Sequence, residues 1–261
     1  MKTQLDRALD FAGADTAAIG QVSLGNEGSI LDERTFPREQ LDYVLRTCTG
    51  LPAVGEVVLE TRGEFVTERV LDDLLEWTAP GRLTLKIGLE SADTDIRERV
   101  LRKRMNLGHF ESVVRLLGRK GVGLASYVLI KADPGHSDEA GRADAVATCE
   151  YLKALCRDSG TRLTLRVNTM YRAANSTWAT WAEQQGWTPP SIFDLAEVMR
   201  AVLDDDVRVY AGLSEEGLAT PDGHYEVRDD FRLWALTALE RYNQTGDIGL
   251  LDAVATHRRG K

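Results

Sequence analysis

Polar side chains that could hold a small zwitterionic molecule stand at the ends of successive apolar segments of the chain. They are Gly28 and Ser29 after the first segment, Glu60 and Arg62 after the second, Glu90 and Ser91 after the third, Lys131 at the end of the fourth and Asn168 near the end of the fifth. Carboxylate and amide oxygens accept hydrogen bonds from ammonium and hydroxyl groups, whereas arginine and lysine pair with carboxylates. If these side chains share one rim, they predict a small-molecule pocket.

The segments that carry these residues alternate with amphipathic stretches, a pattern typical of repeated βα units around a parallel sheet. The predicted strands are Ala17–Leu24, Glu56–Thr61, Leu83–Leu89, Gly123–Lys131, Arg162–Thr169 and Val207–Leu213. Parallel strands with right-handed crossovers close toward a barrel or form a doubly wound sheet. Both arrangements bind ligands at the carboxyl ends of the strands, where the polar residues stand.

The amphipathic stretches between the strands predict helices. One helix begins at Pro37, a second follows the capping residue Thr67, and a third starts at Asp93. Later helices are predicted over Phe110–Arg119, Asp138–Arg157, Phe193–Leu203, Asp229–Asn243 and Asp247–Thr256. A polar, tryptophan-rich loop is predicted before Pro189 and Pro190.

The composition narrows the class of protein. A chain of 261 residues with 43% hydrophobic residues suits one large α/β domain. The formal net charge of −9 argues against a generally basic groove, so we do not expect nucleic acid as a partner. No apolar run is long enough to span a membrane and the first residues lack the apolar core of a signal peptide, so we expect a cytoplasmic protein with no membrane partner.

The three cysteines, Cys48, Cys149 and Cys156, form no pair at metal-ligand spacing, and we predict free, buried thiols. The four histidines are scattered, so we assign no metal ligand and no catalytic residue. Two other features, a pair of tryptophans and a basic segment, each allow two interpretations. Trp178 and Trp181 could pack a helix face or stack on bases, and the basic segment Arg97–Arg104 could be a solvated helix face or contact phosphate.

Five short motifs follow one another at strand-like spacing. They are Asn26–Glu33, Glu60–Val66, Ile87–Ser91, Tyr127–Lys131 and Gly186–Pro190. In this order they resemble radical S-adenosylmethionine (SAM) proteins of the archaeosine-synthase and Elongator-catalytic-subunit branch, over roughly residues 4 to 218. The resemblance implies a partial (β/α) barrel of the TIM type that lacks its first strand, within residues 1–218, with a C-terminal helical extension, residues 219–261, packed on the same domain.

The resemblance also implies that SAM lies across the strand ends. Gly28 and Ser29 would lie along its methionine end, Glu60 and Arg62 would face the substrate or the SAM carboxylate, Glu90 and Ser91 would contact the ribose or the amino acid part, and Lys131 and Asn168 would line the deeper part of the pocket. The chain departs from the family at Gly63 and at Ala132 and Asp133, which stand where the family has proline, and most clearly at the cluster motif. It has no CxxxCxxC motif, so the cysteines present do not support the family's [4Fe–4S] cluster.

Three hypotheses follow from this departure. The chain could be an N-terminally truncated radical SAM enzyme whose cluster motif lies upstream. It could be a cluster-free pseudoenzyme that binds SAM, a related nucleoside or a partner, with a partner chain or a second copy covering the open sheet edge. It could also be an unrelated metal-free enzyme that uses Glu60, Glu90 and Lys131 as acid and base groups. The substrate and the reaction are not readable from the residues.

Overall fold

The structure is a computed structural model that describes residues 2–26, 28–214, 217–224 and 231–257. The chain divides into two compact units. Unit 1 comprises Met1–Gly88, Met105–Ala125 and Leu155–Leu163, and unit 2 comprises Leu89–Arg104, Ser126–Ala154 and Thr164–Lys261. The sequence places a boundary at residue 218 instead, and that division stays a prediction. Glu27, the predicted helix start at Asp229 and residues 258–261 lie outside the described residues.

In the described residues, six parallel strands follow one another in chain order within one sheet. The strands are β1 (Gln21–Leu24), β2 (Glu56–Glu60), β3 (Leu83–Lys86), β4 (Gly123–Ile130), β5 (Leu163–Thr169) and β6 (Arg208–Gly212). This sequential order is that of a TIM-type barrel that has fewer than eight strands. The predicted α/β class, a partial barrel, is confirmed, and each predicted strand matches an observed one.

Nine helices accompany the strands in the described part of the chain. They are α1 (Lys2–Ala12), α2 (Arg38–Thr49), α3 (Glu68–Leu75), α4 (Leu107–Lys120), α5 (Asp138–Ser159), α6 (Thr177–Gln184), α7 (Ile192–Val202), α8 (Phe231–Thr245) and α9 (Ile248–His257). Near Asp93 the chain forms only a short π-helical turn, Ile96–Val100, in place of a full helix. No described helix is long and apolar enough to cross a membrane.

Local sequence signals set several helix starts. In unit 1, the Thr67 side chain accepts a hydrogen bond from the Val70 backbone at 3.2 Å, as the predicted cap requires. In unit 2, Ser191 and Asp194 form a reciprocal capping box at the start of α7. The segment predicted as a tryptophan-rich loop contains α6, which Ser176 caps. Trp178 and Trp181 therefore lie on a helix.

Candidate functional site

In unit 1, two of the predicted site residues, Glu60 and Ser29, lie at the carboxyl end of β2. The Glu60 carboxylate pairs with Lys86 Nζ at 2.8 Å, and the Glu60 carbonyl accepts a hydrogen bond from the Ile30 backbone at 3.1 Å. Ser29, which is buried, shares a hydrogen bond of 2.6 Å with the Thr61 hydroxyl. The turn after β1 is thereby fastened to the end of β2. Glu60 has a close cationic partner within its own unit.

The other two unit 1 candidates lie in turns, Gly28 exposed and Arg62 partly exposed. The Gly28 backbone donates to Asn26 Oδ1 at 3.0 Å, which closes the turn after β1. Arg62 pairs with Glu64, two positions further along the chain. The ligand contacts that the resemblance implies for Gly28, Ser29, Glu60 and Arg62 stay predictions.

In unit 2, Glu90 holds a strained position beyond the end of β3. Its φ is +70°, a left-handed conformation that residues other than glycine rarely adopt. Its backbone N–H donates to the Tyr127 carbonyl and its carbonyl accepts from the Leu129 backbone, each at 2.9 Å. Its carboxylate lies 2.7 Å from Lys103 Nζ. Hydrogen bonds on both sides of the residue therefore hold the strained backbone and the direction of the carboxylate.

A buried polar network lies beneath Glu90. The hydroxyl of the fully buried Ser91 donates to Asp144 at 2.9 Å. The guanidinium of Arg97, only 1% exposed, donates to the carbonyls of Ser91 and Ala92 at 3.1 and 3.0 Å. Burial raises the pKa of Asp144 above its ordinary value. Arg97 thus supports the loop from within, and the interpretation of its segment as a solvated helix face is wrong for this residue.

Lys131 occupies an equivalent position after β4. Its φ is +60°, and its side chain is buried. Lys131 Nζ donates to Asp138 at 2.6 Å and to the Thr188 carbonyl at 2.9 Å, while the indole N–H of Trp187 donates to the Lys131 carbonyl at 3.3 Å. Lys131 is therefore anchored on three sides within unit 2. Its role against a ligand stays a prediction.

The end of β5 carries side-chain atoms that are buried without a hydrogen-bond partner among the described residues. They are Arg166 Nε, Asn168 Oδ1 and Thr169 Oγ1. Arg166 and Asn168 are separated by one position, so their side chains lie on the same face of β5. The Arg166 guanidinium lies over the Tyr210 ring, 5.5 Å from its centroid. A buried donor and a buried acceptor on one strand face are the groups that a ligand would be expected to complete.

A glycine on the neighbouring strand makes room for Asn168. Gly212 stands opposite Asn168 in the parallel register of β5 and β6. A Cβ added at Gly212 would lie 2.1 Å from the amide carbon of Asn168, which is closer than any real contact. The Asn168 amide therefore occupies the space that a side chain on β6 would fill.

Backbone hydrogen bonds place the three strand ends of unit 2 side by side. The Leu129 backbone donates to the Glu90 carbonyl at 2.9 Å, and the Met170 backbone donates to the Ile130 carbonyl at 3.0 Å. Glu90, Lys131 and Asn168 thus stand at the ends of adjacent strands, as the sequence analysis expected within this part of the chain. Arg166 was missed, although the two-residue alternation along β5 could have indicated it. Lys103 had no such signal, because only the left-handed turn brings it back to Glu90.

The residues present do not fit a [4Fe–4S] cluster. All three cysteines are buried on helices, Cys48 on α2 and Cys149 and Cys156 on α5. Burial raises the pKa of Cys149 and of Cys156 to about 12, so both are protonated thiols near neutral pH, whereas a cluster needs thiolates. Among the described residues, no three His, Cys, Asp or Glu side chains are grouped to hold a metal ion.

The chain is similar in sequence to three curated archaeal proteins, and no family model matches it. An uncharacterized protein of Methanocaldococcus jannaschii is 22% identical over 233 residues, which is 88% of this chain and 62% of that protein. Archaeosine synthase subunit beta of Methanosarcina acetivorans is 29% identical over 110 residues, and that of Thermococcus kodakarensis is 24% identical over 110 residues. These two matches cover 42% of this chain and 32% and 34% of the respective subunits.

A solved structure shows the same fold. The chain is similar to the archaeal Elp3 of Methanocaldococcus infernus with an N-terminal deletion, with a TM-score of 0.58 and 12% identity over 92% of this chain and 57% of that one. The chain therefore spans between about a third and less than two thirds of the length of these relatives. By its ordered motifs, its sequence relatives and its fold, the chain is related to the radical SAM-like proteins of the archaeosine-synthase and Elongator branch.

Proposed function

We propose that the strand ends of unit 2 bind SAM or a related nucleoside, and that the chain acts as a cluster-free binding protein of the radical SAM-like branch. The observation that carries the proposal is the buried, unpartnered pair of Arg166 Nε and Asn168 Oδ1 among the described residues. An unpartnered buried polar atom destabilises the empty state, and a ligand that completes both bonds recovers that free energy.

The chemistry of the strand ends complements the functional groups of SAM. The Arg166 guanidinium can donate to the SAM carboxylate, and Asn168 Oδ1 can accept from its ammonium or from a ribose hydroxyl. Glu90, held by Lys103 at 2.7 Å, can accept from the ribose diol with its remaining lone pairs. The three cysteines lie buried on α2 and α5, so the proposal assigns binding alone to these strand ends.

The test is a calorimetric titration of the purified chain with SAM. Removing the Asn168 acceptor in Asn168→Ala is expected to weaken SAM binding about tenfold, which corresponds to about 1.4 kcal/mol. The matched control is Thr164→Ala, since Thr164 lies on the same face of β5 toward its amino end, opposite Arg208. Equal affinities of Asn168→Ala and the parent chain would contradict the proposal. A visible cluster band after anaerobic treatment with iron and sulfide would contradict its cluster-free form.

The edge strand β1 supports a second proposal, a partner surface. Among the described residues β1 pairs only with β2, and Gln21 and Ser23 on it are exposed. An exposed strand edge can pair with another chain, so we expect a partner or a second copy to cover it. Ser23→Pro removes one backbone donor from β1, and sedimentation velocity would then show loss of dimer if a second copy pairs there. A parent chain that sediments as a monomer at all concentrations would exclude the second copy.

A further inference from the structure

A cleft of about 510 Å³ lies in unit 2 beside Met170, the residue that directly follows β5, with one basic and one aromatic wall. Its walls include Arg99, Arg102, Met170, Thr177, Trp178 and Trp181. The cleft brings the tryptophan pair, Trp178 and Trp181, next to two arginines of the basic segment Arg97–Arg104. A volume of this size suits a small organic molecule.

Trp178 in the aromatic wall is anchored by a hydrogen bond and by a ring contact. The Trp178 indole N–H donates to the Ala132 carbonyl at 3.1 Å, which fixes the ring over the segment after β4. The Trp178 ring also meets the buried Trp187 edge to face, with centroids 5.1 Å apart. Trp178 and Trp181 stand three positions apart on α6, so they share a helix face. A flat ring can pack against such a wall without reordering it.

Arg102 supplies the available positive charge. Arg99 is engaged by Asp95, with two hydrogen bonds of 2.8 and 2.6 Å, whereas Arg102 is exposed and has no partner among the described residues. The φ of Arg102 is +51°, and the Lys103 backbone after it donates to the Arg97 carbonyl at 3.0 Å. The backbone hydrogen bond therefore fixes the point from which the exposed Arg102 side chain extends. Thr177 begins α6 on the same cleft, and the amino end of a helix favours an anion.

We propose that this cleft binds a small molecule that joins a flat aromatic ring to an anionic group, with the ring against Trp178 and Trp181 and the anion at Arg102. Nucleoside monophosphates and aromatic carboxylates share this chemistry. The net charge of −9 favours a small anion over a polyanion, because a long strand would face repulsion from the rest of the surface. The inference does not rest on SAM binding, since none of its residues belongs to the Arg166 and Asn168 pair.

The experiment follows tryptophan fluorescence during titration with adenosine monophosphate and with indole-3-acetate, and calorimetry confirms each affinity. We expect adenosine monophosphate to bind at least about tenfold more tightly than adenosine, because only the former carries the anion. Tighter binding of adenosine monophosphate would identify a nucleotide as the ligand, and tighter binding of indole-3-acetate would identify an aromatic carboxylate. Equal binding of adenosine, or tighter binding of a short single-stranded RNA than of adenosine monophosphate, would overturn the proposal.

Matched variants test the two walls. Arg102→Gln is expected to weaken adenosine monophosphate binding about tenfold. Arg104→Gln is the control, because Arg104 is also exposed and left-handed, with φ +53°, but does not line the cleft. Trp181→Leu is expected to weaken binding of the ring, while Trp234→Leu, on α8 outside the cleft, is not. If the two arginine variants weaken binding equally, the effect comes from the overall charge of the protein and not from the cleft, and the proposal is overturned.

A last variant separates this proposal from the proposed function. Asn168→Ala should weaken SAM binding and leave adenosine monophosphate binding unchanged. If the parent chain binds adenosine monophosphate with the expected arginine dependence but not SAM, the proposed function fails and the cleft stands. If Asn168→Ala abolishes adenosine monophosphate binding while Arg102→Gln does not, the nucleotide occupies the strand ends and the cleft proposal fails.

Discussion

Lys103 Nζ lies 2.7 Å from Glu90 Oε1 and so closes the loop between these two residues. Glu90 at the start of the loop and Arg102 and Arg104 at its end all have positive φ. The Lys103 and Glu90 side chains are less than one fifth exposed, so water screens their attraction only in part. The ion pair therefore fixes the direction of the Glu90 carboxylate and the shape of the loop that carries Arg102.

We expect Lys103→Gln to lower the free energy of unfolding by about 1–2 kcal/mol, because Glu90 loses a charge-assisted hydrogen bond in a partly buried place. Urea denaturation measures the change. Arg99→Gln in the same loop is the control, since the Arg99 and Asp95 side chains are mostly exposed and their pair should contribute little. If both variants lose the same amount, the Lys103 pair has no special role.

Two helix glycines should respond to alanine in opposite ways. A Cβ at Gly141 on α5 would lie 2.6 Å from Lys131 Cβ and 2.8 Å from Lys131 Cα, and the strained Lys131 backbone has no room to retreat. Gly141→Ala should therefore lower the free energy of unfolding by about 1–3 kcal/mol. Gly108→Ala on α4 meets only an ordinary contact of 3.4 Å with Asn106 and should raise it by about 0.5–1 kcal/mol. Thermal denaturation of both variants checks the pair, and a stable Gly141→Ala would refute the close packing.

The buried Asp144 predicts a pH dependence. Because burial raises its folded-state pKa, the native protein binds this proton more tightly than the unfolded chain does. The resulting stabilisation is present below the unfolded-state pKa and is lost as pH rises through the folded-state pKa. Asp144→Asn removes the titration while keeping an acceptor for Ser91. The stability of the variant relative to the parent should therefore increase as the pH rises above about 4, the ordinary pKa of an aspartate. A difference that stays constant as the pH rises would contradict it.

The cysteines should be inert in the native protein. Burial raises the pKa of Cys149 and Cys156 to about 12 and also raises that of Cys48, and all three side chains are buried. Ellman's reagent near pH 8 should label none of them until denaturant is added, after which all three thiols should react. Rapid labelling of the native chain would show that at least one thiol lies at an accessible site.

The sequence predicts strand positions well here because β-branched runs between turn residues define them, as at Glu56–Thr61 and Gly123–Lys131. The strands end one residue earlier than predicted, at Glu60 and Ile130, and at Lys131 the φ of +60° takes the backbone out of the strand geometry. Burial of Arg97 could not be predicted, because a dense basic segment indicates a solvated surface unless the carbonyls that it meets are known. The helix α6 was missed because its polar residues and tryptophans, Thr177–Gln184, resemble a loop in composition.

The close contact between Asn168 and Gly212 couples the two positions, so that the size of the residue at one limits the size of the residue at the other. Enlarging residue 212 demands a smaller residue 168, so libraries that vary residue 212 alone will mostly return poorly folded chains. The exchanged pair, Asn168→Gly with Gly212→Asn, keeps the total volume and moves the amide across to the adjacent strand. Such a swap offers a way to shift ligand preference while the barrel wall stays filled.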